Sequence, residues 1–114
     1  KTALGAEKVV PWREAATALD AVDELRERGR LVVALEKTDS SVPLAEAEIR
    51  FPCVLLLGNE VAGLTDEVLR AADLVCHLPM HGLKSSLNVA VAAGVALYEI
   101  RRSAERAGAA RAEK

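Results

Sequence analysis

The 114-residue chain has few of the features that mark a metalloprotein, a membrane protein or a highly basic nucleic-acid binder. Its only two cysteines, Cys53 and Cys76, do not form a Cys-x-x-Cys pair, which argues against a cysteine-based metal framework. His77 follows Cys76 directly in an apolar, strand-like run, where neighbours point to opposite faces, so the two do not share one ion. Both cysteines read as small buried hydrophobes, and no metal is expected. No apolar run approaches the roughly 20 residues needed to cross a bilayer, and no signal peptide opens the chain. A cytoplasmic protein is therefore the expectation. Lys and Arg number 15 against 17 Asp and Glu, a formal charge of −2, which excludes a nucleic acid held by overall charge. Any such contact has to be local or come from another segment. No Gly-x-Gly-x-x-Gly opens a helix after the first strand, which weighs against a dinucleotide-binding module.

What is present is apolar sequence, 51% of the chain, arranged for one α/β domain at most. Residues 7–10 could form a short strand ending at Pro11, with Trp12 behind it. Over residues 13–28, Ala15, Ala18, Leu19, Val22 and Leu25 recur at helical spacing, and Gly29 supplies the stop. The valine-rich run Leu31–Leu35 is too short for a helix and suits a parallel strand buried on both faces. Residues 36–41 are polar loop. Pro43 and Pro52 bracket a stretch that makes one helical turn or none. Strand Cys53–Leu57 follows, then a helix capped by Thr65, with Asp66 and Glu67 set against the positive end of its dipole. Residues 74–78 form another strand. A final helix starts near Ser85 or Ser86 and runs to about residue 107, leaving 108–114 as a frayed tail.

The unusual punctuation lies between residues 54 and 99. One apolar run stops at Gly58-Asn59-Glu60, with a second glycine at Gly63. The other ends at Leu78-Pro79-Met80-His81-Gly82 and is followed by Ser85-Ser86-Leu87-Asn88 at the head of the last helix. Right-handed crossovers keep such strands parallel and deliver their loops to one edge, where open sheets bind ligands. Taken alone, each residue also has a plain structural reading: Gly58 and Gly63 as turn residues, Ser86 as an N-cap with Asn88 in the first turn, and Glu60 as a solvated acid.

Gly58-Asn59-Glu60-x-x-Gly63 and Leu78-Pro79-Met80-x-Gly82-x-x-x-Ser86-Leu87-Asn88-Val89, closed by Leu97-Tyr98-Glu99, resemble the second and third motifs of the SpoU (TrmH-like) RNA ribose 2'-O-methyltransferases of the SPOUT class. The opening residues 1–8 resemble the segment before the family's third strand, so the likeness extends to about Arg102. It implies a parallel sheet flanked by helices, with a trefoil knot in the C-terminal portion. It also implies S-adenosylmethionine as cofactor, tRNA or rRNA as substrate, and a homodimer with the site near its interface.

By that resemblance Leu35, Glu36, Leu57, Gly58, Gly63, Leu78, Met80 and Leu87 form the cofactor pocket. Gly58 would let the main chain approach the ligand, the leucines and Met80 would be apolar walls, and Leu35 with Glu36 would close the neighbouring side. Glu60, Ser86 and Asn88 would serve catalysis by orienting substrate and loops. The family's earlier motif, an asparagine followed by an arginine assigned to activating the ribose hydroxyl, has no counterpart here. The expectation is thus the C-terminal part of a larger methyltransferase, residues 1–107, carrying the cofactor half of the site. The other reading is a non-catalytic scaffold that binds S-adenosylmethionine, RNA or only itself.

The final helix carries an expectation of its own. Residues 87–97 are apolar on every side except at Asn88, and Ala90, Ala92, Ala93, Gly94 and Ala96 keep the helix slim. A helix of that kind is buried on more than one face. The sheet covers one side, and a twofold dimer is the economical cover for the other.

Overall fold

The computed structural model describes residues 11, 14–59, 62–79 and 89–112, with side chains through residue 106. Four parallel strands form one sheet in the order β2-β4-β1-β3, where β1 is Leu31–Leu35, β2 Val42–Pro43, β3 Cys53–Leu57 and β4 Leu74–His77. Helices α1 (Ala18–Glu27) and α2 (Asp66–Ala71) cover one face, and α3 (Val89–Ala112) covers the other.

The central strand β1 shows why the sheet is a middle layer. Its first four residues are all buried, and alternation sends them to opposite faces. Val32 joins Val22 of α1 and Val68 of α2 in one core, with Leu19, Leu56 and Leu64 around it. Leu31 and Val33 join Cys76, Leu44, Ala96 and Ile100 in the other, on the α3 side. A continuous apolar run is the pattern that this double burial requires.

Helix α1 is shorter than the expected 13–28 span. Thr17 caps it, its hydroxyl accepting the Asp20 amide at 3.0 Å, so Ala15 lies outside the helix. At the other end Gly29 takes a φ of 80°, the Gly29 amide reaches the Arg26 carbonyl at 2.9 Å and the Arg30 amide reaches Leu25 at 3.0 Å. This double closure around a left-handed glycine turns the chain directly into β1. Thr65 caps α2 as expected, accepting the Val68 amide at 3.2 Å.

Between Pro43 and Pro52 there is more order than the sequence suggests. Val42–Pro43 forms a two-residue edge strand on β4, and Leu44–Glu46 makes a single 3-10 turn whose Leu44 is buried on the α3 side. Proline is tolerated there because an edge strand has one side without a partner. Strand β4 ends at His77, one residue before the expected Leu78. The expected strand at 7–10, Trp12 and the start of the last helix at 85–88 lie outside the described residues.

One expectation about the last helix is corrected. The helix continues through Ala112 rather than ending near 107, because residues 104–112 are mostly Ala, Arg and Glu, strong helix formers that carry the helix past Gly108. Among the described residues, Ala96 and Ile100 face the sheet, whereas Val91, Val95, Leu97 and Tyr98 are 53, 48, 57 and 68% exposed, on the flank for which a second copy is the expected cover. Val91, Val95 and Tyr98 stand at i, i+4 and i+7, so the open flank is a continuous apolar stripe. No helix among the described residues is long and apolar enough to cross a membrane.

Candidate active site

Parallel pairing brings three strand ends level. Leu35 is in register with Leu57 on one side and with Cys76 on the other, and the Glu36 amide donates to the Cys76 carbonyl at 2.8 Å. Glu36 therefore leaves the sheet between Gly58, which follows Leu57, and the His77-Leu78 end of β4. Leu35 and Leu78 pack partly buried against the α3-side core, while Leu57 is 37% exposed at the rim. Leu35, Glu36, Leu57, Gly58, Gly63 and Leu78 thus gather along the carboxyl edge. Glu60, Met80, Ser86, Leu87 and Asn88 lie outside the described residues.

The turn after β3 is closed by its own backbone. Asn59 and Gly63 form an antiparallel bridge, the Gly63 amide donating to the Asn59 carbonyl at 3.0 Å, and the Asn59 side-chain oxygen accepts the Ala62 amide at 2.6 Å. Gly63 has a φ of 68°, a left-handed conformation that favours glycine. A β-carbon on Gly58 would lie 2.4 Å from the Gly63 carbonyl carbon and 2.6 Å from the Leu64 nitrogen. The bare face of Gly58 admits the returning backbone of its own turn.

Glu36 engages the same turn. Its Oε1 accepts the Leu64 amide at 3.1 Å, and both carboxylate oxygens lie 3.0 Å from where a Gly63 β-carbon would be. Its described partner is the β3 turn, which makes it a clasp between two strand ends. Asn59 was not singled out from the sequence, although asparagine directly after a strand-ending glycine is a turn signal.

A second polar cluster joins the β1–β2 loop to β4. The Ser41 hydroxyl accepts the Thr38 amide at 2.9 Å, lies 2.9 Å from the Thr38 carbonyl and 2.8 Å from Nδ1 of His77. With the hydroxyl proton directed to the Thr38 carbonyl, Nδ1 carries the proton that it donates to Ser41. His77 and Cys76 serve different surroundings: Cys76 is fully buried in the α3-side core. Burial pushes the thiols of both Cys53 and Cys76 up from the ordinary range, because the thiolate loses solvation.

Residues 1–98 match the SpoU rRNA Methylase family. The chain is 40% identical over 85 residues to the tRNA (guanosine(18)-2'-O)-methyltransferase of Aquifex aeolicus, which covers 75% of this chain and 40% of that protein. The crystal structure of the A. aeolicus TrmH/SpoU tRNA modifying enzyme superposes with a TM-score of 0.81 at 35% identity, over 92% of this chain and 53% of that one. An AdoMet-bound rRNA methyltransferase from Sinorhizobium meliloti aligns with a TM-score of 0.66 at 39% identity, over 74% and 32%. The chain therefore spans about half the length of the relatives it matches.

Proposed function

The chain belongs to the SpoU rRNA Methylase family, and from that premise we propose that the protein it comes from is an S-adenosylmethionine-dependent RNA ribose 2'-O-methyltransferase, with this chain supplying the cofactor side of the site. The observation that carries the reading is the level alignment of three parallel strand ends, which sets Glu36, Gly58 and Leu78 side by side. Open parallel sheets bind their ligands at this edge. The AdoMet-bound relative from S. meliloti supports the choice of cofactor.

The described residues fit that ligand. Leu57 is open at the rim, Leu35 and Leu78 back it, and a glycine turn of fixed shape stands beside it. Apolar side chains with a few backbone groups suit a nucleoside base. Bound there, S-adenosylmethionine supplies an activated methyl group on a sulfonium. The protein's task is then to hold the ribose 2'-oxygen in line and to help remove its proton. Leu35, Leu57, Leu78, Met80 and Leu87 wall the cofactor, and Glu60, Ser86 and Asn88 orient substrate and loops. The family's earlier motif, whose arginine is the group implied for the hydroxyl, has no match in residues 1–114, and that role is assigned to no residue here.

RNA, either tRNA or rRNA, is the substrate, and the work is cytoplasmic. A trefoil knot in the C-terminal portion, as the SPOUT class implies, is part of the same proposal. The stripe of Val91, Val95 and Tyr98 on α3 supports a homodimer built on that flank.

Calorimetry with S-adenosylmethionine, run beside methyl incorporation into bulk tRNA and rRNA, tests the proposal. Residues 1–114 are expected to bind the cofactor and to leave RNA unmethylated, since a group acting only in the transition state affects turnover more than binding. The protein extended by an Asn and Arg motif is expected to methylate. Silence in both assays would favour the scaffold reading.

A further inference from the structure

Glu36 follows β1 and Gly63 lies 27 positions later in the turn after β3, yet the Glu36 carboxylate lies alongside that turn. The Glu36 carboxylate accepts the Leu64 amide at 3.1 Å, and both of its oxygens stand 3.0 Å from the vacant β-carbon position of Gly63. Two independent features of the turn make room for it: the left-handed φ of 68° at Gly63 and the absence of a side chain there. The carboxylate is thus laid along the turn backbone. It is held in place at its own end, because the Glu36 amide donates to the Cys76 carbonyl of β4 at 2.8 Å. One residue therefore ties the ends of β1, β3 and β4 together.

We propose that Glu36 is a positioning residue: its carboxylate clasps the 58–64 turn, and cofactor affinity depends on it through the shape of that turn rather than through contact with the ligand. The inference rests on the cofactor reading given above and deepens it. A clasp requires reach and an acceptor oxygen, whereas a direct contact to a sulfonium or an ammonium requires negative charge. Glu36→Gln keeps reach and one oxygen while losing the charge. Glu36→Asp keeps the charge and withdraws it by one methylene.

The experiment measures affinity for S-adenosylmethionine and for the uncharged-sulfur product S-adenosylhomocysteine by calorimetry in the full chain, with amide exchange at Leu64 followed by NMR without ligand. A clasp predicts that Glu36→Asp loses Leu64 protection and binds both ligands about tenfold more weakly, the scale of one lost charge-assisted hydrogen bond. Glu36→Gln is expected to stay within about threefold of the parent for both ligands, because a neutral acceptor retains much of the bond. The proposal is overturned if Glu36→Gln weakens the binding of S-adenosylmethionine, or of both ligands, by more than about threefold, or if Leu64 protection is unchanged in Glu36→Asp. A lowered melting temperature with unchanged affinity for both ligands also overturns it, since that is a purely structural role. Parent protein that binds neither ligand overturns the cofactor reading and the positioning role with it, while loss of Leu64 protection in Glu36→Asp would still establish the clasp itself.

Discussion

Gly58 and Gly63 are in backbone contact across the turn that ends β3: a β-carbon on Gly58 would come within 2.4 Å of the Gly63 carbonyl carbon. The obstructing atoms belong to main chain, so no side-chain rotation relieves the clash. Gly58→Ala is therefore expected to open the turn, lower stability by about 1–3 kcal/mol and weaken S-adenosylmethionine binding. Gly29→Ala is the control, since Gly29 has a φ of 80° but nothing within 4 Å. It is expected to cost about 1–2 kcal/mol in stability and to leave ligand affinity unchanged. Thermal melts and calorimetry on the two variants separate turn closure from backbone strain.

Asp73 closes the start of the sheet as Glu36 closes its end. Its carboxylate accepts the Val32 amide at 2.7 Å, its amide donates to the Val32 carbonyl at 2.9 Å, and Arg26 pairs with it at 3.3 Å. The Arg26 side chain is half exposed, so the ion pair contributes little. The Val32 amide is the costly group to leave without an acceptor. Asp73→Ala is expected to destabilise by about 1–3 kcal/mol, Arg26→Ala by less than about 1 kcal/mol. Chemical denaturation of both variants checks the ranking, and equal losses would contradict it.

The thiols set a pH dependence on the alkaline side. Burial raises Cys53 and Cys76 in the folded protein, so the unfolded chain releases their protons first. Their contribution to stability is complete below the unfolded thiol pKa and is lost as pH rises toward the raised folded values. Denaturation midpoints across alkaline pH are expected to fall less in a Cys53→Ala, Cys76→Ala protein than in the parent. Cys76, fully buried, is also expected to react with a thiol reagent only on the time scale of unfolding, and Cys53 sooner.

The open flank of α3 predicts self-association through Val91, Val95 and Tyr98. Val95→Glu puts a charge in the middle of that stripe. Sedimentation is expected to report a dimer for the parent and a monomer for the variant. Because the site is exposed within the single chain, the fold of the monomer should lose no more than about 0.5 kcal/mol. A dimer that survives Val91→Glu with Val95→Glu would assign the interface to another surface.

Much of the scaffold was legible because local chemistry and tertiary need agree. Leu31–Leu35 and Cys53–Leu57 are unbroken apolar runs, the pattern of strands covered on both faces, and both occur where expected. Thr65 announced α2 through its side-chain cap. Val42–Pro43 was not legible, since a two-residue strand has no period and exists only through its pairing with β4. Thr17 and Ala15 show the same limit at a helix start: apolar spacing extends the pattern upstream, but the cap decides where the helix begins.

The site divides along the same line. The sequence alone determined that glycine-bearing, polar loops follow apolar strands, because strand-ending glycines and the residues after them are local signals, and it marked Glu36, Gly58, Gly63 and Leu78 as neighbours of one edge. Only the tertiary structure decided what those residues touch. The order β2-β4-β1-β3 pairs segments about 20 to 40 positions apart, and no local pattern states which strand end will stand beside which. That pairing set Glu36 beside the turn that Gly58 opens, and gave it the Leu64 amide as its partner. It also left one side of α3 uncovered, although the apolar character of that side was already written in the chain, because a single sheet can bury only one face of a helix.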